Sequence, residues 1–164
     1  MTSGIPGLPD LDAPDGDLHF LLGVLFNQQI RAETAWKAPV RLAERLGSLD
    51  VDDLAAADPA VLVTVMRERP AIHPFAVAMS ARVIGICARL VDHYSARAAN
   101  VWADHPTAGA LHSRLTGFPG IGTHKANVAV ALLTREYGLP IVGSTAATAA
   151  ALRACPRLSE VLVT

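Results

Sequence analysis

Apolar positions recur at helical spacing along most of this chain. Leu18, Leu21, Leu22 and Leu25 share one helix face, and Asp17 stands where an N-cap belongs. Residues 1–16 are rich in Pro, Gly and Asp and read as a loose tail. A second helix spans about 31–46 and stops at Gly47, with Pro39 inside it predicting a kink. Asp50 opens a short helix and Asp58-Pro59 another, which Pro70 ends; His73-Pro74 marks a turn. The longest pattern runs over 75–94, with Met79, Val83, Ile86, Leu90 and Tyr94 as its inner stripe. Short helices follow at about 96–102 and 107–115. The Gly- and Pro-punctuated stretch 116–122 then leads into a helix over 123–137. Gly138 and Pro140 break that helix, and Ser144 or Thr145 can cap an alanine-rich one that ends before Pro156. No strand alternation and no solenoid repeat interrupts the series. The expected class is all-α: a tail (1–16), a helical domain (17–143) and a C-terminal segment (144–164).

Composition agrees and sets limits. With 164 residues, one domain is expected, and 51% hydrophobic residues are ample for a core. Aromatics at 5%, against abundant Ala, Leu and Val, favour packed helices. The apolar runs are too short and too often interrupted by charge for a membrane span. The stretch 1–17 has neither the basic start nor the apolar core of a signal peptide, so a cytoplasmic protein is expected. Cys87 and Cys155 read as buried, reduced thiols, and two cysteines cannot furnish a four-thiolate iron–sulfur site. The six histidines show no metal-ligand pairing, so neither metal nor cofactor is expected. The net charge of −1 argues against a dedicated non-specific nucleic-acid binder, although a local basic patch can act within a neutral total.

The segment 115–127 carries the most chemistry. It reads helix, Gly-Pro-Gly hairpin, helix. Gly120 and Gly122 allow positive φ and a close backbone approach, and Ile121 plugs between them. Thr123, His124 and Lys125 form the first turn of the next helix, whose free N–H groups and dipole make an anion site. A DNA phosphate fits such a site without base readout. A plain αα-hairpin would use the same glycines only to turn. Leu115, the stiffening Pro119 and the small Ala126 shift the reading towards the DNA backbone. Lys125 is then expected to contact phosphate. Asn27-Gln28-Gln29 ends the first helix, and its glutamines either cap the helix end and face solvent or serve the DNA.

These residues resemble the helix-hairpin-helix (HhH-GPD) superfamily of endonuclease III and the alkyl-base DNA glycosylases. The likeness covers roughly 17–140: the early helix with its glutamine turn, the middle turn with its long helix, and the hairpin. It is nearest to small, cluster-free, actinobacterial-type members with the same glutamine pair and the same Lys-Ala after the hairpin. The resemblance implies a helical bundle with a DNA-facing cleft into which a base is flipped. It makes Gln29, with Gln28 as runner-up, the residue that fills the gap left by that base. It also implies a catalytic aspartate after a Gly/Pro-rich loop, and there the chain departs from the family. Its loop, 138–143, leads to Ser144-Thr145, no aspartate follows Asp104, and the later acids are Glu136 and Glu160. His124 occupies the family's Schiff-base lysine position, which argues against lyase chemistry. It reads as a polar cleft residue, a solvated helix-start residue or a general acid. His124, Lys125 and Ser144 are the candidate catalytic residues. Gln28, Gln29, Gly120, Ile121, Gly122, Thr123 and Lys125 are the candidate DNA contacts. The expected function is a monomeric, monofunctional DNA N-glycosylase of base excision repair, acting at the nucleoid on duplex DNA with a damaged or mispaired base. The alternatives are a non-catalytic binder of distorted duplex and, more weakly, a helical interaction module. A basic patch around Arg114, Lys125 and Arg135 would separate the first two from the third.

Overall fold

The computed structural model describes residues 1–154. The helices are α1 (Gly16–Phe26), α2 (Ala32–Leu46), α3 (Val51–Ala55), α4 (Pro59–Arg67), α5 (Ala76–His93), α6 (Ala108–Thr116), α7 (Thr123–Arg135) and α8 (Ser144–Ala154), with a 3₁₀ turn at Ala98–Val101. Among the described residues there is no strand, and no helix is long and apolar enough to cross a membrane. Cys155, the expected end of the last helix before Pro156, and Glu160 lie outside the described residues.

The core forms around α1. Leu18, Phe20, Leu21, Leu22, Val24, Leu25 and Phe26 are all buried, as expected for a helix that is apolar all round. Phe20 sits at the centre. Its ring stacks on Trp36 at 5.8 Å and meets the edges of Trp102 and Tyr137, each at 5.6 Å. Gly23 makes the contact with α2 possible, because the Trp36 ring occupies the space a Cβ would need. The α7 helix is the second buried rod, with residues 128–133 all in the core. Met79, Val83, Ile86 and Leu90 turn one side of α5 inward, and α3 and α4 pack on that helix.

Local chemistry ends the elements largely where the pattern places them. Asp50, Asp58 and Thr107 accept backbone N–H bonds from Asp53, Ala60 and Ala110 and so cap α3, α4 and α6. Gly47 closes α2 in the left-handed region at φ 89°. Pro39 is buried inside α2, which runs unbroken through it. Three details differ from expectation. Asp17 is not the cap of α1, which begins one residue earlier. Its carboxylate instead accepts the Ala99 N–H at 2.8 Å and ties the 3₁₀ turn to α1. The helix expected over 96–102 contracts to that turn. Residues 1–15, whose composition reads as a loose tail, make specific contacts. Ile5, Leu8 and Leu11 pack on the core, and the Tyr137 hydroxyl donates to the Pro9 carbonyl at 2.6 Å. Three apolar side chains at a spacing of three outweigh the Pro- and Gly-rich backbone around them.

Candidate nucleic-acid interface

The α6–α7 hairpin is built from the inside out. Phe118 and Ile121 are buried, and the Ile121 N–H returns to the Phe118 carbonyl at 3.2 Å. Between them the chain needs a left-handed residue, and Gly120 supplies it at φ 81°. Gly122 differs. Its φ is −88°, and nothing lies within 4 Å of where a side chain would begin. Neither backbone conformation nor internal space requires glycine at 122, contrary to the expectation of a positive φ at both positions.

The hairpin lies on the flank of α5 where Arg82, Gly85 and Arg89 stand at helical spacing. Pro119 seats on Gly85, so that a Cβ there would come within 2.8 Å of its Cγ. Arg82 lies over Gly120. The Arg89 guanidinium borders Gly117, with its carbon 5.8 Å from the centre of the Phe118 ring. Sequence reasoning missed these α5 residues, although their i, i+3, i+7 spacing beside the apolar stripe was available as a signal.

At the start of α7, Ala126 N–H bonds to the Gly122 carbonyl at 3.0 Å, the first bond of the helix. Among the described residues the amides of Gly122, Thr123, His124 and Lys125 find no acceptor, and no side chain caps the helix. Gly122, Thr123 and His124 are exposed. This is an uncapped, positively polarised helix start open to solvent.

Lys125 turns inward and is half-buried. Its ammonium donates to the Leu25 carbonyl (2.8 Å), to Gln28 Oε1 (2.9 Å) and to the Gly120 carbonyl (3.0 Å). Burial, and then the neighbouring Arg82 charge, push its pKa down to about 8. Arg82 donates to the same Gln28 oxygen at 3.0 Å. The two glutamines are therefore unlike: Gln28 is held by two cations, whereas Gln29 is exposed, with its backbone at φ 55°.

His73 fixes the other side of this corner, a further residue missed as a site residue from sequence. Its Nδ1 accepts the Phe75 N–H at 3.0 Å, so Nε2 carries the proton and donates to the Phe26 carbonyl, also at 3.0 Å. Burial first, then the Lys125 and Arg82 charges, lower its pKa. Protonation would also set a donor against the Phe75 N–H. A folded-state pKa below the unfolded one means that stability is full above the unfolded value, about 6.5, and falls as pH drops below it. Urea midpoints measured from pH 7.5 to 5 should therefore fall, and His73→Gln should flatten the part of that slope due to His73. An unchanged slope would refute this assignment.

The remaining candidates do not gather here. The Val142 carbonyl accepts the Ala108 N–H at 2.8 Å, which docks the loop before α8 at the first residue of α6. That is about 13 Å along α6 from the hairpin turn. Ser144 is half-buried and Thr145 exposed, and among the described residues no hydrogen bond joins either to His124 or Lys125. Glu136 follows α7 at its far end, about 20 Å from the hairpin, near Ser3. The discriminating basic patch at Arg114, Lys125 and Arg135 does not form. Arg114 is paired with Asp104 at 2.7 and 2.9 Å, and Arg135 ends α7. Arg82 provides the charge beside Lys125, and Arg89 lies at Gly117 in the same hairpin. Cys87 is buried, its thiol pushed up to about 12 by burial, which does not suit a thiolate ligand. Among the described residues no cluster of His, Cys, Asp or Glu could hold a metal.

No family model and no curated protein matches the chain. Solved structures do. A trapped endonuclease III–DNA covalent intermediate, in its estranged-adenine complex, superposes with a TM-score of 0.54 at 22% identity over 76% of this chain. A non-covalent endonuclease III–DNA complex superposes with the same score at 21% identity. The chain has the endonuclease III fold. It spans about half the length of those chains, 49% in each. The likeness extends to the helical scaffold and, at this identity, to the fold alone.

Proposed function

We propose that this chain is a DNA glycosylase-type protein that grips duplex DNA through the α6–α7 hairpin and presents Gln29 to a disturbed base pair. The observation that carries the reading is the uncapped start of α7. Free amides lie beside an exposed glycine that the fold itself does not need, on a hairpin backed by Arg82 and Arg89. A phosphate oxygen meets such amides only if no Cβ stands in the way. The endonuclease III fold, seen in complexes with DNA, supports the same reading. In its enzymatic form the protein hydrolyses the glycosidic bond of a flipped base without a lysine adduct, because His124 occupies the family's Schiff-base position.

A non-catalytic binder of distorted duplex is the second reading, and one observation favours it. The charged groups that act on Lys125 and His73 are cations, and among the described residues the one acid after Asp104, Glu136, lies at the far end of α7. Breaking a glycosidic bond builds positive charge on the sugar, which a carboxylate stabilises and cations oppose. A panel of duplexes, each with one lesion or mismatch, separates the readings by base release with and without alkaline cleavage. Base release from one substrate, with no borohydride-trapped adduct, is the expected result for the enzyme. Tight binding with no release by the parent, Ser144→Asp or Thr145→Asp supports the binder. Binding to no duplex removes both.

A further inference from the structure

We propose that Lys125 is a positioning residue that locks the Gln28–Gln29 corner, and not a group that reaches DNA. The inference deepens the duplex-binding reading above and rests on it for the role of Gln29. An ammonium has three protons and accepts nothing. All three are directed at acceptors within the fold: the end of α1 (Leu25 carbonyl), the corner (Gln28 Oε1) and the hairpin (Gly120 carbonyl). A phosphate could recruit this lysine only by taking a proton from one of these acceptors. Two of the acceptors belong to the end of α1 and its corner and the third to the hairpin, far away in sequence, so one side chain joins the seat of the proposed phosphate to the corner that carries Gln29. Arg82, from α5, donates to the same Gln28 oxygen, and His73 holds the Phe26 carbonyl from the opposite side. With Gln28 fastened, the chain turns through a left-handed residue, and Gln29 stands in solvent. The free amides bind the backbone, Gln29 meets the gap, and Lys125 holds the two at a fixed separation.

The test compares the parent, Lys125→Met, Gln28→Ala and the double variant. Each is titrated against an intact duplex and against one containing an abasic analogue, over a range of salt. A lysine that contacts phosphate contributes about 0.9 to the slope of log affinity against log salt. The expected result is an unchanged slope for Lys125→Met on the intact duplex, with the preference for the abasic duplex reduced about tenfold. Gln28→Ala should lose the same preference, and the double variant no more than either single one. General destabilisation would not produce this split. Amide hydrogen exchange in the free protein gives a readout without DNA, and the Gln28 amide, which bonds the Phe26 carbonyl at 2.7 Å, should exchange about tenfold faster in Lys125→Met. A slope reduced by about 0.9, an undiminished preference or unchanged exchange would each overturn the proposal. Should Lys125→Met fail to fold, Gln28→Ala decides by the same preference and exchange measurements. If the parent binds neither duplex, the DNA-binding reading falls by itself, and exchange of the Gln28 amide still decides whether the lock exists.

Discussion

Gly122→Asp is expected to weaken duplex binding about a hundredfold while leaving the fold as stable as the parent or slightly more so. Gly122 has an ordinary φ of −88°, and its surroundings are open, so aspartate enters without strain or overlap. It also stands at the N-cap of a helix that has no side-chain cap, where aspartate exceeds glycine by a few tenths of a kcal/mol. The same carboxylate would engage the amides proposed to hold phosphate and set a negative charge against the DNA backbone. Losing one or two charge-assisted bonds of about 1.5–3 kcal/mol each gives an effect of that size. Fluorescence anisotropy at moderate salt, paired with a thermal melt, measures both signs at once. Binding within threefold of the parent would show that the phosphate seat lies elsewhere.

Two residues earlier the opposite result is expected. Gly120→Val should lower folding stability by about 3 kcal/mol, because a β-branched residue is forced to positive φ and overpacks its neighbours. The neighbours are specific. A Cβ at position 120 would fall 2.5 Å from Arg82 Cδ and 2.7 Å from Leu25 Cδ1, at a φ of 81°. For a chain of this length the melting midpoint should drop by about 10 °C. A urea melt showing a loss below about 1 kcal/mol would mean that the hairpin yields where the packing indicates it cannot. Together the two substitutions separate a glycine needed by the fold from one left free for a partner. Replacing both at once would confound the two effects.

The helices were legible because burial imposes a period. The inner stripe of α5, the caps at Asp50 and Asp58, and the hairpin all stand where the apolar spacing and turn residues indicate. The N-terminal segment was misread because composition reports backbone freedom but not whether three spaced side chains have somewhere to pack. Asp17 was misread for a related reason. A carboxylate at a helix start serves any nearby N–H, and the one it serves belongs to Ala99, far along the chain. The site was half legible. Local spacing revealed the hairpin and its free amides, but the role of Lys125 depends on where three carbonyl oxygens converge in space. Gln28 and Gln29 are identical by residue type, and only the fold tells the tethered one from the exposed one.

The seat of Pro119 on Gly85 has a consequence for sequence variation. The two positions share a single volume, since any side chain at 85 would displace the proline ring. They should therefore vary as a pair among relatives that keep this hairpin. A lineage that acquires even alanine at 85 should have given up the proline at 119, or carry a compensating deletion in the turn. A collection of homologues in which residues larger than glycine at 85 freely accompany proline at 119 would show that the hairpin docks on α5 differently in those proteins.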